Sequence, residues 1–474
     1  MIGNWFAAFA ILAWPVVAIA LYRLRPVGEA TLWTVLGALL LLPSQTAIKI
    51  PMIPAIDKNS IASLSALVGY VVHAPTQKKV GIWPGVLGLL VAAYIFSPIV
   101  TSVLNNDTIV VGDLVLPGVG YYDGISALLS QSILFLPFFI GRSVLRGPDD
   151  GVVVLRVLAL AGLFYTLPML FEVRMSPQLS NWIYGFFPST FASEGRYGGF
   201  RPVVFMINGL SAAFFLSTAF VAAIGLWRAK INLVRLPPLA VNGYLGVVVL
   251  LCKSAGALVY TVVGGALVGW MSPKMQLRIA VVVVSIGLVY PLLRAGDYFP
   301  TEHLVDVAEA FNKDRAASLS VRFSQEQKLL EHASERYWFG WGRYGRSRVY
   351  EESGKDSTLT DGLWIITLGQ FGLIGFLAQF GLLALPVFAA AASFRFIDSQ
   401  RDMIVLCALA LIVAFTVIEQ LPNASISAWS WLTAGALLGR CENIRRKARK
   451  RPVPSERSNT MSNSSYARSF DANR

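Results

Sequence analysis

The chain has 474 residues, 55% of them hydrophobic and 14% charged, with a mean hydropathy of +0.59. That balance lies outside the range of soluble domains, and apolar runs of roughly 20 residues point to helical spans rather than the alternating ten-residue strands of an outer-membrane barrel. The net charge of +13 does not indicate nucleic acid, because much of it sits in one short tail: residues 441–474 hold nine Lys or Arg against three Asp or Glu, with Arg445, Arg446, Lys447, Arg449, Lys450 and Arg451 packed together. A basic cluster after a final span is a topology anchor and a contact for anionic lipid.

Cys252, Cys407 and Cys441 fall in or beside apolar runs without CxxC spacing, which argues against a disulfide framework or a thiolate metal site. Ala18-Ile19-Ala20 has the small residues of a signal-peptidase site, but no basic segment precedes it and Trp14-Pro15 interrupts the run. The expectation is a first membrane helix.

Taken in order, the candidate spans are 5–22, 31–48, 60–73, 85–104, 125–140, 152–171, 203–227, 238–252, 255–271, 276–293, 363–394, 403–419 and 424–439. The predicted fold is all-α: a polytopic transmembrane bundle of about 12 to 13 spans with one large helical periplasmic loop. Residues 1–293 carry the first ten spans, 294–361 the loop, 362–440 the last spans and 441–474 a basic, disordered cytoplasmic tail. Charge tests the count, since cytoplasmic loops carry excess Lys and Arg. With the N-terminus outside, the inner loops hold Arg23 and Arg25, Lys78 and Lys79, Arg142, Arg146 and Arg156, Arg228, Lys230 and Arg235, Lys274 and Arg278, and Arg395 and Arg401, before the tail. Residues 105–124 carry Asp107, Asp113 and Asp123 and no Lys or Arg. An odd number of crossings follows. The ambiguous stretch is 238–271, counted as two short spans, with one tilted helix or a re-entrant hairpin as the alternatives.

The polar residues then converge on the outer side, in 174–202, at Lys253-Ser254 and in 294–361. The last interval holds 12 of the 27 acidic residues, 10 of the 40 basic ones, and His303 and His332. Thr301 is placed to cap a helix carrying Leu304, Val307, Ala308 and Phe311. A second amphipathic stretch runs over 318–334, with Leu319, Phe323, Leu330 and Ala333 on its apolar side. Both suit the membrane surface. The histidines show no HExxH spacing, and no metal or other cofactor is expected.

Four groups of residues can carry chemistry. Arg196 and Arg201, among Gly195, Gly198 and Gly199, form either an anion clamp, with guanidinium forks that fit phosphate, or an interfacial loop whose arginines reach lipid headgroups. Lys253 is either a functional cation at a hairpin tip or a snorkelling one. Gly340, Gly342 and Gly345 match GxGxxG literally, but no strand precedes them. Trp338, Trp341, Arg343 and Tyr344 around those glycines suit a glycan surface, or an interfacial belt. Asp361, just before a long apolar run, is placed either as a general base for a sugar hydroxyl or, with Thr360, as a helix cap.

The order of these features resembles the O-antigen ligase and polysaccharide polymerase superfamily of bacterial inner-membrane proteins. The similarity spans residues 196–385: the Arg196 to Pro202 loop, Lys253-Ser254, an arginine-led helix from Arg322, the Phe339-Gly-x-Gly342 turn, Asp361-Gly-Leu-Trp364 and Gly372-Leu-Ile-Gly375. The resemblance implies a metal-independent membrane glycosyltransferase of the periplasmic face that uses polyprenyl-diphosphate-linked oligosaccharide. It further implies that Arg196, Arg201 and Arg322 hold the diphosphate, and Lys253 joins them as a nearby cation. In the ligases a histidine stands shortly before the Gly-Leu-Ile-Gly helix. Here Asp361 occupies that position, which favours an exopolysaccharide or O-antigen polymerase over a ligase transferring glycan to a lipid core. The expected partners are the lipid-linked oligosaccharide, membrane lipids and other polysaccharide assembly and export proteins, with no nucleic acid. A lipid-linked oligosaccharide flippase or other transporter, and a structural subunit of an export complex, are the other classes compatible with the sequence.

Overall fold

The computed structural model describes residues 3–49, 54–73, 85–196, 198–311 and 313–450. Lys78, Lys79 and the tail from Arg451 lie outside them. The first half of the chain forms α1 (Trp5–Leu24), α2 (Val27–Leu41), α3 (Lys58–His73), α4 (Val86–Leu104), α5 (Tyr121–Val144), α6 (Asp150–Met175), the short α7 (Leu179–Tyr184) and α8 (Gly209–Arg228). The second half forms α9 (Pro238–Leu251), α10 (Ala255–Trp270), α11 (Pro273–Ala295), α12 (Thr301–Phe311), α13 (Lys313–Glu335), α14 (Leu363–Ser393), α15 (Gln400–Glu419) and α16 (Ala428–Arg449). Every candidate span corresponds to one of these helices. Among the described residues eight are long and apolar enough to cross a membrane, namely α1, α4, α5, α6, α8, α11, α14 and α15, and α2, α9 and α10 are shorter apolar helices. The chain is a multi-pass helical membrane protein.

Contacts between helix termini sort the bundle into two ends. At one, Asn4 Nδ2 donates to Ile183 O, Lys58 Nζ donates to Ser44 Oγ at 2.7 Å and Phe205 O at 3.2 Å, and Asn105 Nδ2 donates to Gly340 O at 3.0 Å. At the other, Arg228 donates to Val268 O, Cys407 Sγ to Pro273 O, and Arg142 pairs with Glu442. Successive spans run alternately between these ends, and the described basic residues of the short loops gather at the second.

The core is continuous through the bundle, and α15 is buried on nearly every side. Where α16 crosses α5 the backbones meet through glycine. A Cβ on Gly435 or Gly439 would strike the carbonyl of Phe138 or Arg142, and one on Gly141 would strike that of Leu432. This is the small-residue packing that lets membrane helices approach closely when no water is available to drive them together. The ambiguous stretch 238–271 resolves into two helices of 14 and 16 residues joined by a turn in which Lys253 takes φ +53°. Among the described residues there are two short antiparallel hairpins, β1 (Ile109–Val111) with β2 (Leu114–Leu116), and β3 (Gly195–Arg196) with β4 (Gly199–Phe200).

The polar interval between α11 and α14 is packed rather than loose. Leu329, Leu330 and Ala333 of α13 enter the main core, and the chain after α13 threads into a break in α14, where Gly372 has φ +66° and ψ −168°. The N–H groups of Trp341 and Gly342 donate to the carbonyls of Gly369 and Gln370 at 2.8 and 2.9 Å, and the Leu373 N–H donates to Tyr337 O at 2.8 Å. The backbone groups released by the break therefore find partners, as they must away from water.

Candidate functional site

Two buried carboxylates shape the 176–208 loop. Glu172, at the end of α6, accepts the N–H groups of Val203 and Val204 at 2.7 Å each and of Leu179 at 3.0 Å. Glu194 accepts from Ser189 Oγ and the Gly209 N–H, and its Oε2 lies 3.1 Å from Nε of Arg201. Both members of that pair are buried, at 1% and 7% exposure, and Nη2 of Arg201 donates to Ser193 O at 2.7 Å. Burial holds the Arg201 guanidinium below the usual arginine range, Glu194 pulls it back up, and the neighbouring charges of Arg196 and Arg322 oppose it again. Arg196 itself is exposed on β3. Lys253 reaches this hairpin from the α9–α10 turn, because a Cβ on Gly199 would collide with its Nζ.

On the facing side, Nε of Arg322 on α13 pairs with Oδ2 of Asp361 at 3.2 Å, the side chains being 36% and 48% exposed. The cap of α14 is Gly362, with no side-chain cap bond. Asp361 thus faces the arginine instead of closing the helix. The pair borders a cavity of about 330 Å³ lined mainly by apolar side chains, among them Ile286, Leu319, Phe323, Ile418 and Leu421. Its inner wall is polar: Glu326 accepts from Tyr290 Oη at 3.1 Å and Trp364 Nε1 at 3.3 Å, with Arg294 Nε 3.6 Å away. Burial pushes the Glu326 carboxyl above its ordinary range, while those hydrogen bonds and the two arginines, Arg294 and Arg322, act in the opposite sense. Behind the cavity, Glu419 is buried, accepts from Asn423 Nδ2 at 2.6 Å, bonds to Tyr260 and lies within the field of Arg322. The Leu363 N–H donates to Gln420 O at 2.9 Å, which fixes the start of α14 against the α15–α16 turn.

Arg196, Arg201, Lys253, Arg322 and Asp361 are therefore neighbours at one end of the bundle. The aromatic group is elsewhere. Arg336, just beyond α13, is 14 residues from Arg322, about 20 Å along a helix. There Trp341 donates Nε1–H to His332 O at 2.8 Å and is sandwiched between the His332 ring, 4.4 Å away, and the Arg336 guanidinium, 4.2 Å away. Both faces of its indole are taken, so the structure does not leave it open to a sugar ring. Arg336 and Arg346 both pair with Asp107, at 2.8 and 3.2 Å. Trp338 and Tyr344 are exposed, and Arg343 lies over the Tyr344 ring. The glycines that suggest a flexible surface serve a crossing instead. A Cβ on Gly340, at φ +69°, would meet Gln370 C and Gly372 N at 2.6 Å.

Comparison of the sequence with protein-family models and with curated proteins returns no match. Fold and site together define a multi-pass helical membrane protein with a cation-rich pocket beside a largely apolar cavity.

Proposed function

We propose that the protein is a glycosyltransferase of the periplasmic face, polymerising polyprenyl-diphosphate-linked oligosaccharide units into exopolysaccharide or O-antigen. The observation that carries this reading is the Arg322–Asp361 pair at the mouth of a mainly apolar cavity, with Arg201 within electrostatic range. Apolar walls beside paired cations match a lipid with an anionic head. The gathering of basic loop residues at the opposite end supports a bacterial inner membrane orientation with the N-terminus outside and the C-terminus cytoplasmic.

In the proposed reaction, the acceptor sugar hydroxyl attacks the anomeric carbon of the donor glycan. The bond from that carbon to the diphosphate oxygen breaks, and the lipid diphosphate leaves with the electron pair. Its developing charge falls to Arg322, with Arg201 and Arg196 adding to the field. Phosphate competes with Asp361 for Arg322, and the carboxylate so released takes the hydroxyl proton. The bond to diphosphate is already activated, so positioning and charge stabilisation suffice without nucleotide or metal.

The test is purified protein with a polyprenyl-diphosphate oligosaccharide and EDTA. A ladder of products supports polymerisation, and a single transfer to a lipid core identifies a ligase. No transfer at all removes the enzyme reading in favour of a transporter or structural subunit. Asp361→Asn with full activity eliminates the base assignment.

A further inference from the structure

At the opposite end of the bundle, in the last turns of α5 and α16 and the loop after α5, a buried Arg142, a half-buried Arg146 and an exposed Arg446 gather around few counter-charges. The glycine crossing of α5 on α16 draws Arg142 into the helix interface, where it is 3% exposed. Its Nε donates to both carboxylate oxygens of Glu442 at 3.0 Å, and Nη2 lies 2.9 Å from Oε1. The remaining Nη1 is buried with no hydrogen-bond partner, and so is Nε of Arg146. Asn443 ties the group together, donating Nδ2–H to Arg146 O at 2.7 Å and accepting from Nη2 of Arg446 at 3.0 Å. Arg146 feels the charges of Arg142, Arg446 and Glu442 and the phenol of Tyr70 on α3. Other carboxylates at this end are engaged, Asp402 with Arg440 at 3.1 Å and Asp149 with Arg401 at 3.6 Å. Arg142 pairs with Glu442, Arg146 lies in the field of the same carboxylate, and Arg446 adds a third positive charge to that field. Two buried charged nitrogens, Nη1 of Arg142 and Nε of Arg146, are left unbonded, which is expensive away from water.

We propose that Arg142, Arg146 and Arg446 form an anion site, separate from the sugar-transfer site, that takes the phosphate of an acidic membrane lipid. A phosphate diester offers acceptor oxygens in the geometry that a guanidinium fork matches. Its negative charge also offsets the surplus. Headgroups lie at the level where spanning helices end, and a basic helix end next to the bilayer attracts acidic lipid before any contact forms.

The experiment follows the unfolding midpoint of delipidated protein in detergent during titration with phosphatidylglycerol, phosphatidylcholine or inorganic phosphate. Phosphatidylglycerol should raise the midpoint saturably while phosphatidylcholine does not. Because Arg142 is built into the helix interface, the test uses Arg146→Gln with Arg446→Gln, which should weaken the apparent affinity by about tenfold or more. The exposed pair Lys447→Gln with Arg449→Gln should leave it unchanged. An equivalent response to inorganic phosphate, lost in the same Arg146/Arg446 variant, keeps the site and assigns it to a soluble phosphate. The proposal is overturned by no response, by an equal response to phosphatidylcholine, or by a response that survives the Arg146/Arg446 changes.

Discussion

Replacing Gly340 by Ala tests whether the glycine-rich turn is a clasp on α14 or a free surface. The residue sits at φ +69°, so any L side chain meets the left-handed penalty of roughly 1–2 kcal/mol. Its Cβ would also lie 2.6 Å from two backbone atoms of α14, Gln370 C and Gly372 N, which cannot swing aside as a side-chain tip can. Overpacking of that kind adds about 1–3 kcal/mol. The expected loss is therefore about 2–5 kcal/mol for Gly340→Ala. Gly342 provides the control: its φ is +84°, but the nearest atom to an added Cβ is Val119 Cγ2 at 3.4 Å. Gly342→Ala should thus cost only the backbone part, roughly 1–2 kcal/mol. Unfolding of both variants by heat or denaturing detergent in mixed micelles measures the difference. Equal losses would refute the clasp.

Three further outcomes follow from the site. Arg322→Ala breaks a half-exposed pair, so stability should change by no more than about 1 kcal/mol while polymer formation is lost; wild-type polymer length and yield would remove Arg322 from the site. Arg201→Ala leaves Glu194 buried and unpaired and should cost about 3–5 kcal/mol, so its unfolding midpoint must fall together with its activity. Glu326 has a raised carboxyl pKa, so the folded state binds its proton more tightly than the unfolded chain does. Its contribution is most favourable below the ordinary value of 4.5 and declines as pH rises through the raised value. Glu326→Gln should therefore flatten the fall in stability with pH relative to wild type over that window, and an unchanged slope would contradict the assignment.

The eight long apolar helices were legible because each needs only a long apolar run, and the broken α14 was no exception, since its break is made by a glycine inside such a run. The amphipathic periods of α12 and α13 were equally readable, and so was the meeting of Arg196, Arg201, Lys253, Arg322 and Asp361 at one end, which alternating crossings enforce. What stayed hidden depends on partners distant in sequence. Glu172, Glu326 and Glu419 belong to no motif, and their partners come from distant parts of the chain or from the next turn: the 203–204 loop for Glu172, Tyr290 and Trp364 for Glu326, and Tyr260 and Asn423 for Glu419. Trp341 looks like a sugar platform until His332 and Arg336 cover its two faces. The role of Gly340 is invisible without Gly372, thirty-two residues onward, against which it crosses.

That crossing gives the site a lever. Arg322 rides on α13 and Asp361 stands just before α14, and these two arms are fastened to each other at the far end by residues 337–342. The arm from Arg322 to the fastening is about 20 Å long, so a swing of roughly 9° about it parts guanidinium from carboxylate by about 3 Å. Such a swing would also pull Glu326, one turn along α13, away from Tyr290 and Trp364, and Phe323 O away from Arg294. A phosphate entering between the two residues therefore works against a rod braced along its length as well as pinned at its end.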